Sequence, residues 1–145
     1  MVLDLTFGQG VFYAAINARV YAFDIQRLDW VTKPYVFYQK PCWAYRQYLD
    51  EIGNVDVVVI DPPWAQWDHR GSHRARNHYS EALGKPEDIL MCGVNAARDL
   101  GKPLLYHWRE ALTQYKHLVG PIQFRGRSRY IKQPRPSYYG IIEVH

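Results

Sequence analysis

Val55-Asp56-Val57-Val58-Val59-Ile60-Asp61-Pro62-Pro63-Trp64 is the stretch whose reading decides the architecture. Five of its first six residues are Val or Ile, with no alternation of polar and apolar. A run of that kind suits a strand buried on both faces of a parallel sheet, not one with a wet side. It stops at Pro62-Pro63 because proline brings no N–H to a ladder. Working upstream, Met1–Leu5 is a short apolar run that ends at the turn Gly8-Gln9-Gly10, and Val11–Asn17 reads as a helix. Arg19–Phe23 reads as a second strand ending at Asp24, Asp24–Val31 as a short helix, and Pro34–Tyr38 as a third strand rich in Val and aromatics. Cys42–Ile52 has Trp43, Tyr45, Tyr48, Leu49 and Ile52 near helical spacing, with Gly53 placed to cap it.

Downstream of Trp64, a polar His/Arg-rich stretch runs to Lys85, long enough to be a functional loop. Pro86–Leu100 has the marks of a helix: proline in the first turn, Glu87 and Asp88 near the N-terminus, Gly101 past the end. Pro103–His107 is a fifth strand, Arg109–Val119 a helix, and Gln123–Tyr130 and Tyr138–Val144 two closing strands around a turn at Pro134–Ser137. Strand–helix alternation of this kind predicts an α/β fold. The expected form is a Rossmann-like, open, twisted, seven-stranded and mostly parallel sheet, with an antiparallel last strand and helices on both faces.

Composition narrows the functional classes. The 145 residues are 48% hydrophobic and 22% charged, a globular balance with room for one core, so a single domain over 1–145 is expected, without a separate target-recognition domain. No stretch approaches the roughly 18 to 20 apolar residues of a membrane span, and no signal-peptide pattern opens the chain. Cys42 and Cys92 are too few and too isolated for a disulfide framework or a zinc knuckle, so a reducing, cytoplasmic address is expected. Aromatics reach 15%, with 12 Tyr and 5 Trp, which suits stacking on a planar ligand and equally a well-filled core. Residues 1–64 hold 5 Lys/Arg against 7 Asp/Glu, whereas residues 65–145 hold 13 against 7. A C-terminal half at +6 points to a polyanion as partner, or to a solvated basic face.

The chemistry gathers at strand ends. Glycines in Asp4-Leu5-Thr6-Phe7-Gly8-Gln9-Gly10 let a ligand approach the backbone beyond the first strand. Asp24, at the tip of the second, stands where doubly wound folds hold ribose hydroxyls. Position 13 is Tyr, so the full Gly-x-Gly-x-x-Gly of a dinucleotide site is missing, and a nucleoside cofactor without a pyrophosphate fits better. Asp61-Pro62-Pro63-Trp64 presents acceptors, namely the Asp61 carboxylate and the Asp61 and Pro62 carbonyls, beside a flat apolar plate. That combination describes a receptor for an exocyclic amino group on a heterocycle; the plain alternative is a rigid turn with a solvent-facing Asp.

These residues together resemble the class I S-adenosylmethionine-dependent methyltransferases, in particular those that methylate an exocyclic amino nitrogen of nucleic acid. Asp4, Gly8 and Gly10 are similar to the family's first motif, Asp24 to its ribose-binding acid, and Asp61-Pro62-Pro63-Trp64 to its catalytic motif in the form typical of N6-adenine enzymes. The resemblance implies S-adenosylmethionine as cofactor, held by Asp4, Thr6, Phe7, Gly8, Gly10 and Asp24, with Asp61, Pro62, Pro63 and Trp64 catalytic. It also implies a flipped or single-stranded base in DNA or RNA as substrate, and allows a protein partner that supplies target recognition.

Arg70, Arg74 and Arg76 follow the motif directly and are placed to meet phosphates, with Tyr79 a stacking candidate. His69, His73 and His78 lie four and five apart with no Cys near, so no metal site is expected. Arg125, Arg127 and Arg129 share one face of a strand, a row suited to a nucleic-acid backbone or equally to an edge strand defended by charge. Two other functions fit the same residues: a non-catalytic nucleic-acid-binding subunit of a methyltransferase complex, and a same-fold methyltransferase for a small molecule or a protein amide.

Overall fold

In the computed structural model, residues 1–61, 86–108, 124–128 and 137–144 are described. The strands are β1 (Val2–Asp4), β2 (Val20–Asp24), β3 (Val36–Gln39), β4 (Val57–Ile60), β5 (Leu104–Trp108), β6 (Phe124–Ser128) and β7 (Ser137–Ile142). They form one sheet in the order β3-β2-β1-β4-β5-β7-β6. β1 pairs in parallel with both β2 and β4, β2 with β3, and β4 with β5. β7 runs antiparallel to both its neighbours, β5 and β6. The chain therefore builds outward from β1 to β3, then returns to the other side of β1 with β4. The crevice between the carboxyl ends of β1 and β4 is the switch point where open α/β sheets bind ligands.

Local sequence explains the well-formed elements. All of β2, and Val58, Val59 and Ile60 of β4, are buried, as expected of parallel strands covered on both faces. The helix α2 spans Pro86–Leu100, the bounds that proline, first-turn acids and trailing glycine predict. Gly101 follows at φ 64°, and the Lys102 N–H returns to the Ala97 carbonyl at 2.9 Å, closing the C-terminus. Leu90, Val94 and Ala97 of α2 pack with Leu3, Phe23 and Ile60 of the sheet in the larger core. Tyr45 joins them there, and its hydroxyl donates to Asp99 at 2.6 Å, tying the segment after β3 to α2.

Three expected helices take other forms. Cys42–Ile52 is a 3-10 helix over Cys42–Tyr48 followed by a single α turn, α1 (Leu49–Ile52). Val11–Asn17 shrinks to a 3-10 turn over Val11–Tyr13. Six residues go to the loop Leu5–Gly10, and the nine left before β2 are too few for a stable helix unless packing holds it. Packing does not: Val11, Phe12 and Ile16 are 62%, 46% and 51% exposed, and β-branched and aromatic residues add little helix propensity. Asp24–Val31 has no helix, because Val31 and Thr32 donate to the Gln9 carbonyl and pull the segment over the glycine turn instead. Among the described residues, α1, α2 and the Cys42–Tyr48 helix serve the larger core, and the 3-10 turn alone serves the smaller one, around Phe7, Tyr13, Val20 and Ala22. The helix expected over Arg109–Val119 lies outside the described residues. No helix among them is long and apolar enough to cross a membrane.

Candidate active site

Strand alternation sorts the side chains before any ligand is considered. Leu3, Phe23 and Ile60 point toward α2, so Asp4, Asp24 and Val59, one residue out of step, fall on the opposite side. There a cavity of about 260 Å³ opens at the carboxyl ends of β1, β2 and β4. Asp4, Thr6, Phe7, Gly8, Asp24 and Asp61 all line it, joined by Gln9, Val11, Phe12, Leu28 and Val59. Five of the six expected cofactor residues, and the one described catalytic candidate, thus meet at a single cavity.

The sixth, Gly10, acts from behind the wall. Its φ is +70°, and a Cβ there would lie 2.6 Å from both the Phe7 ring and the Thr32 carbonyl oxygen, so only glycine lets the turn close against residue 32.

Each carboxylate has a distinct setting. Asp24 is buried; its Oδ2 accepts from the Gly8 N–H at 2.8 Å and its Oδ1 from the Gln26 N–H at 3.0 Å. Burial raises its pKa above the ordinary carboxylate value, and the N–H groups of Gln26 and Gly8 partly offset this. Asp4 is buried too, with Oδ1 accepting from the Thr6 N–H at 2.8 Å and Oδ2 from the Tyr13 hydroxyl at 2.7 Å. Desolvation is the largest influence on it, with the charges of Asp61 and Asp24 adding to the same direction, and the pKa rises to about 7. Burial and the adjoining Asp4 push the Tyr13 phenol far above its usual range, so it remains a donor. The Thr6 hydroxyl accepts from the Asp61 N–H at 2.6 Å, joining the loop after β1 to the end of β4.

His107 is the participant that the motifs did not reveal. Its Nδ1 lies 2.8 Å from Asp61 Oδ1. The signal was present in the strand ends: Ile60 pairs with Tyr106 in a parallel register, so the next residues, Asp61 and His107, come out side by side. Tyr13, Gln9, Val11, Phe12 and Leu28 were likewise not singled out.

Pro62, Pro63, Trp64, Arg70, Arg74, Arg76, Tyr79 and Arg129 lie outside the described residues. Arg125 and Arg127 lie on β6, an edge strand, opposite Gly140 and Tyr138. No three His, Cys, Asp or Glu side chains among the described residues are grouped to hold a metal ion.

Among solved structures, the fold is similar to that of an rRNA methylase from Streptococcus thermophilus, with a TM-score of 0.55 and 16% identity over 99% of this chain and 86% of that one. The chain has a methyltransferase fold. SMU.1697c of Streptococcus mutans, solved in complex with SAH, aligns over 99% of this chain and 85% of its own at 18% identity and a TM-score of 0.43. The sequence matches no family model and no curated protein.

Proposed function

We propose that this methyltransferase-fold protein transfers a methyl group from S-adenosylmethionine to an exocyclic amino nitrogen of a nucleic-acid base, adenine N6 first among them. The observation that carries the reading is the meeting of three strand-end carboxylates, Asp4, Asp24 and Asp61, with the Gly8 turn around one cavity at the switch point. The donor set fits the cofactor: Asp24 offers acceptors to a ribose diol, and a cationic sulfonium suits a cavity lined by the buried Asp4. Leu28, Val11 and Phe12 add apolar lining.

When bound, the cofactor supplies an electrophilic methyl group on a positively charged sulfur. Asp61 has the rest of the work. Its carboxylate accepts an N–H of the target amino group, which favours a pyramidal nitrogen whose lone pair is free to attack. The sulfur of the bound cofactor would keep the electron pair of the bond it gives up, so the charge left for this chain's residues to manage is the extra proton on nitrogen. The methylated nitrogen then sheds one proton to the Asp61 carboxylate and on to water. Pro62 contributes a second acceptor through its carbonyl, Trp64 a stacking plate for the base, and placement supplies most of the acceleration.

Incubation with labelled S-adenosylmethionine and separate DNA, RNA, protein and small-molecule pools tests the proposal. Label on adenine N6 is expected. Label only on protein or small molecules would favour the amide or small-molecule reading, and oligonucleotide binding without label the non-catalytic subunit.

Asp4 gives the reading a pH signature. Ligand-free protein should lose stability as pH rises from 3.8 to about 7, because over that window the unfolded carboxyl ionises while the buried one holds its proton. Cofactor affinity should move the other way. A cation in the cavity favours ionised Asp4, so S-adenosylmethionine should bind more tightly as pH rises toward about 7 and level off above it. Calorimetry should register proton release on binding, less for the uncharged-sulfur product, and none attributable to this group in Asp4→Asn.

The basic half yields a second expectation. Affinity for single-stranded oligonucleotides should fall steeply with salt as bound arginines release counterions. Reversing the charges of Arg125, Arg127 and Arg129 should flatten the slope of log affinity against log salt. A salt-independent affinity would overturn the nucleic-acid assignment.

A further inference from the structure

The Asp61 carboxylate, one residue past the end of β4, is 38% exposed, a setting in which it would ordinarily sample several rotamers. One contact restrains it. His107 Nδ1 stands 2.8 Å from Oδ1, and the imidazole is itself only 23% exposed on the adjoining strand. An ionised carboxylate can only accept, so the proton of this bond is carried by Nδ1. Among the described residues Oδ2 has no partner, and Asp61 lines the cavity.

We infer that His107 is a positioning residue for methyl transfer: its Nδ1–H fixes Oδ1 of Asp61 and leaves Oδ2 to receive the target amino group. This inference rests on the assignment of Asp61 as the amino acceptor. The placement is built into the backbone, since the parallel register that joins Ile60 to Tyr106 brings Asp61 and His107 out beside each other at the same end of the sheet. The Thr6 hydroxyl fixes the same residue from the other side, by accepting from the Asp61 N–H at 2.6 Å. Backbone and side chain of Asp61 are thus each held by a different neighbouring loop or strand. A preorganised acceptor need not be reoriented while charge develops on the nitrogen, which is where such an arrangement contributes to rate.

The test compares His107→Ala, His107→Asn, Asp61→Ala and the double Asp61→Ala/His107→Ala variant in single-turnover methyl transfer, with cofactor affinity and melting temperature measured alongside. His107→Ala should slow transfer by roughly 10- to 100-fold, the cost of a mis-set reacting group, with cofactor affinity unchanged. His107→Asn should recover most of the rate, because its side-chain N–H falls near the place of Nδ1. The double variant should be no slower than Asp61→Ala, since His107 acts through that carboxylate.

A wild-type rate in His107→Ala beside an inactive Asp61→Ala overturns the inference and leaves the Asp61 assignment standing. A fully active Asp61→Ala overturns the assignment itself. Equal losses in His107→Ala and His107→Asn that track melting temperature reduce His107 to a structural residue and also overturn the inference. Independently of turnover, the ring nitrogen shifts of His107 should report the Nδ1–H tautomer in the wild type. An Nε2–H tautomer there overturns it as well.

Discussion

Asp61→Ala should bind S-adenosylmethionine about as well as the wild type and yet transfer its methyl group roughly 100- to 1000-fold more slowly, the loss typical of removing one preorganised partner of the reacting atoms. The separation follows from where the contacts lie. On the proposed reading the ribose acceptors are those of Asp24 on β2, and the turn that lets a ligand approach is that of Gly8 on the loop after β1; both line the cavity. Asp61 contributes to the same cavity from β4, on its far side in strand order. Stability should change little, because the side chain is partly exposed and the bond from the Asp61 N–H to Thr6 belongs to the backbone and survives. A turn with a purely structural Asp predicts the reverse: a lower melting temperature and normal turnover. Single-turnover rates beside melting curves separate the two, and full activity in Asp61→Ala would end the amino-methyltransferase proposal.

The fold was legible where burial alone decides structure. A strand covered on both faces has to be apolar throughout, so Val57–Ile60 declared itself, and Pro86, Gly101 and the spacing between them declared α2. Segments whose shape is set by another segment were not legible. Nothing in Val11–Asn17 says that residues 31 and 32 donate to the Gln9 carbonyl beside it, or that the apolar residues of the turn stay exposed. The candidate site divides along the same line. Asp4, Asp24 and Asp61 stand at strand ends, positions a sequence can locate, and the cavity collects them. His107 needed the neighbour relation of β4 and β5, which is a fact of topology and not of any motif. The raised pKa of Asp4 is likewise collective, since it comes from burial beside two further carboxylates that the chain brings in 20 and 57 residues later.

Asp24→Asn should weaken S-adenosylmethionine and S-adenosylhomocysteine equally, and that equality is what distinguishes it from a change at Asp4. The carboxylate holds the cavity together in two ways. Oδ2 takes the Gly8 N–H and Oδ1 the Gln26 N–H, so one side chain joins the glycine turn to the segment after β2. Asp24 also lines the cavity, and each of its carboxylate oxygens has a further lone pair to offer a ribose diol. An amide keeps one acceptor oxygen and cannot serve both N–H groups and a diol. Hydrogen bonds to a charged group are worth about 1.5–3 kcal/mol, which corresponds to roughly 10- to 100-fold in affinity. Asp24→Ala goes further, because it leaves two backbone N–H groups without their partner in a partly buried setting, at up to about 1–3 kcal/mol each, and should lower the melting temperature as well. The ribose is common to cofactor and product, whereas the sulfonium charge belongs to the cofactor alone. Asp24 variants should therefore shift both affinities together, and Asp4→Asn should shift the cofactor's more. Calorimetric titration of both ligands into both variants reads this directly. Wild-type affinity in Asp24→Asn would remove the ribose assignment, and a selective loss of the cofactor there would move the sulfonium's partner from Asp4 to Asp24.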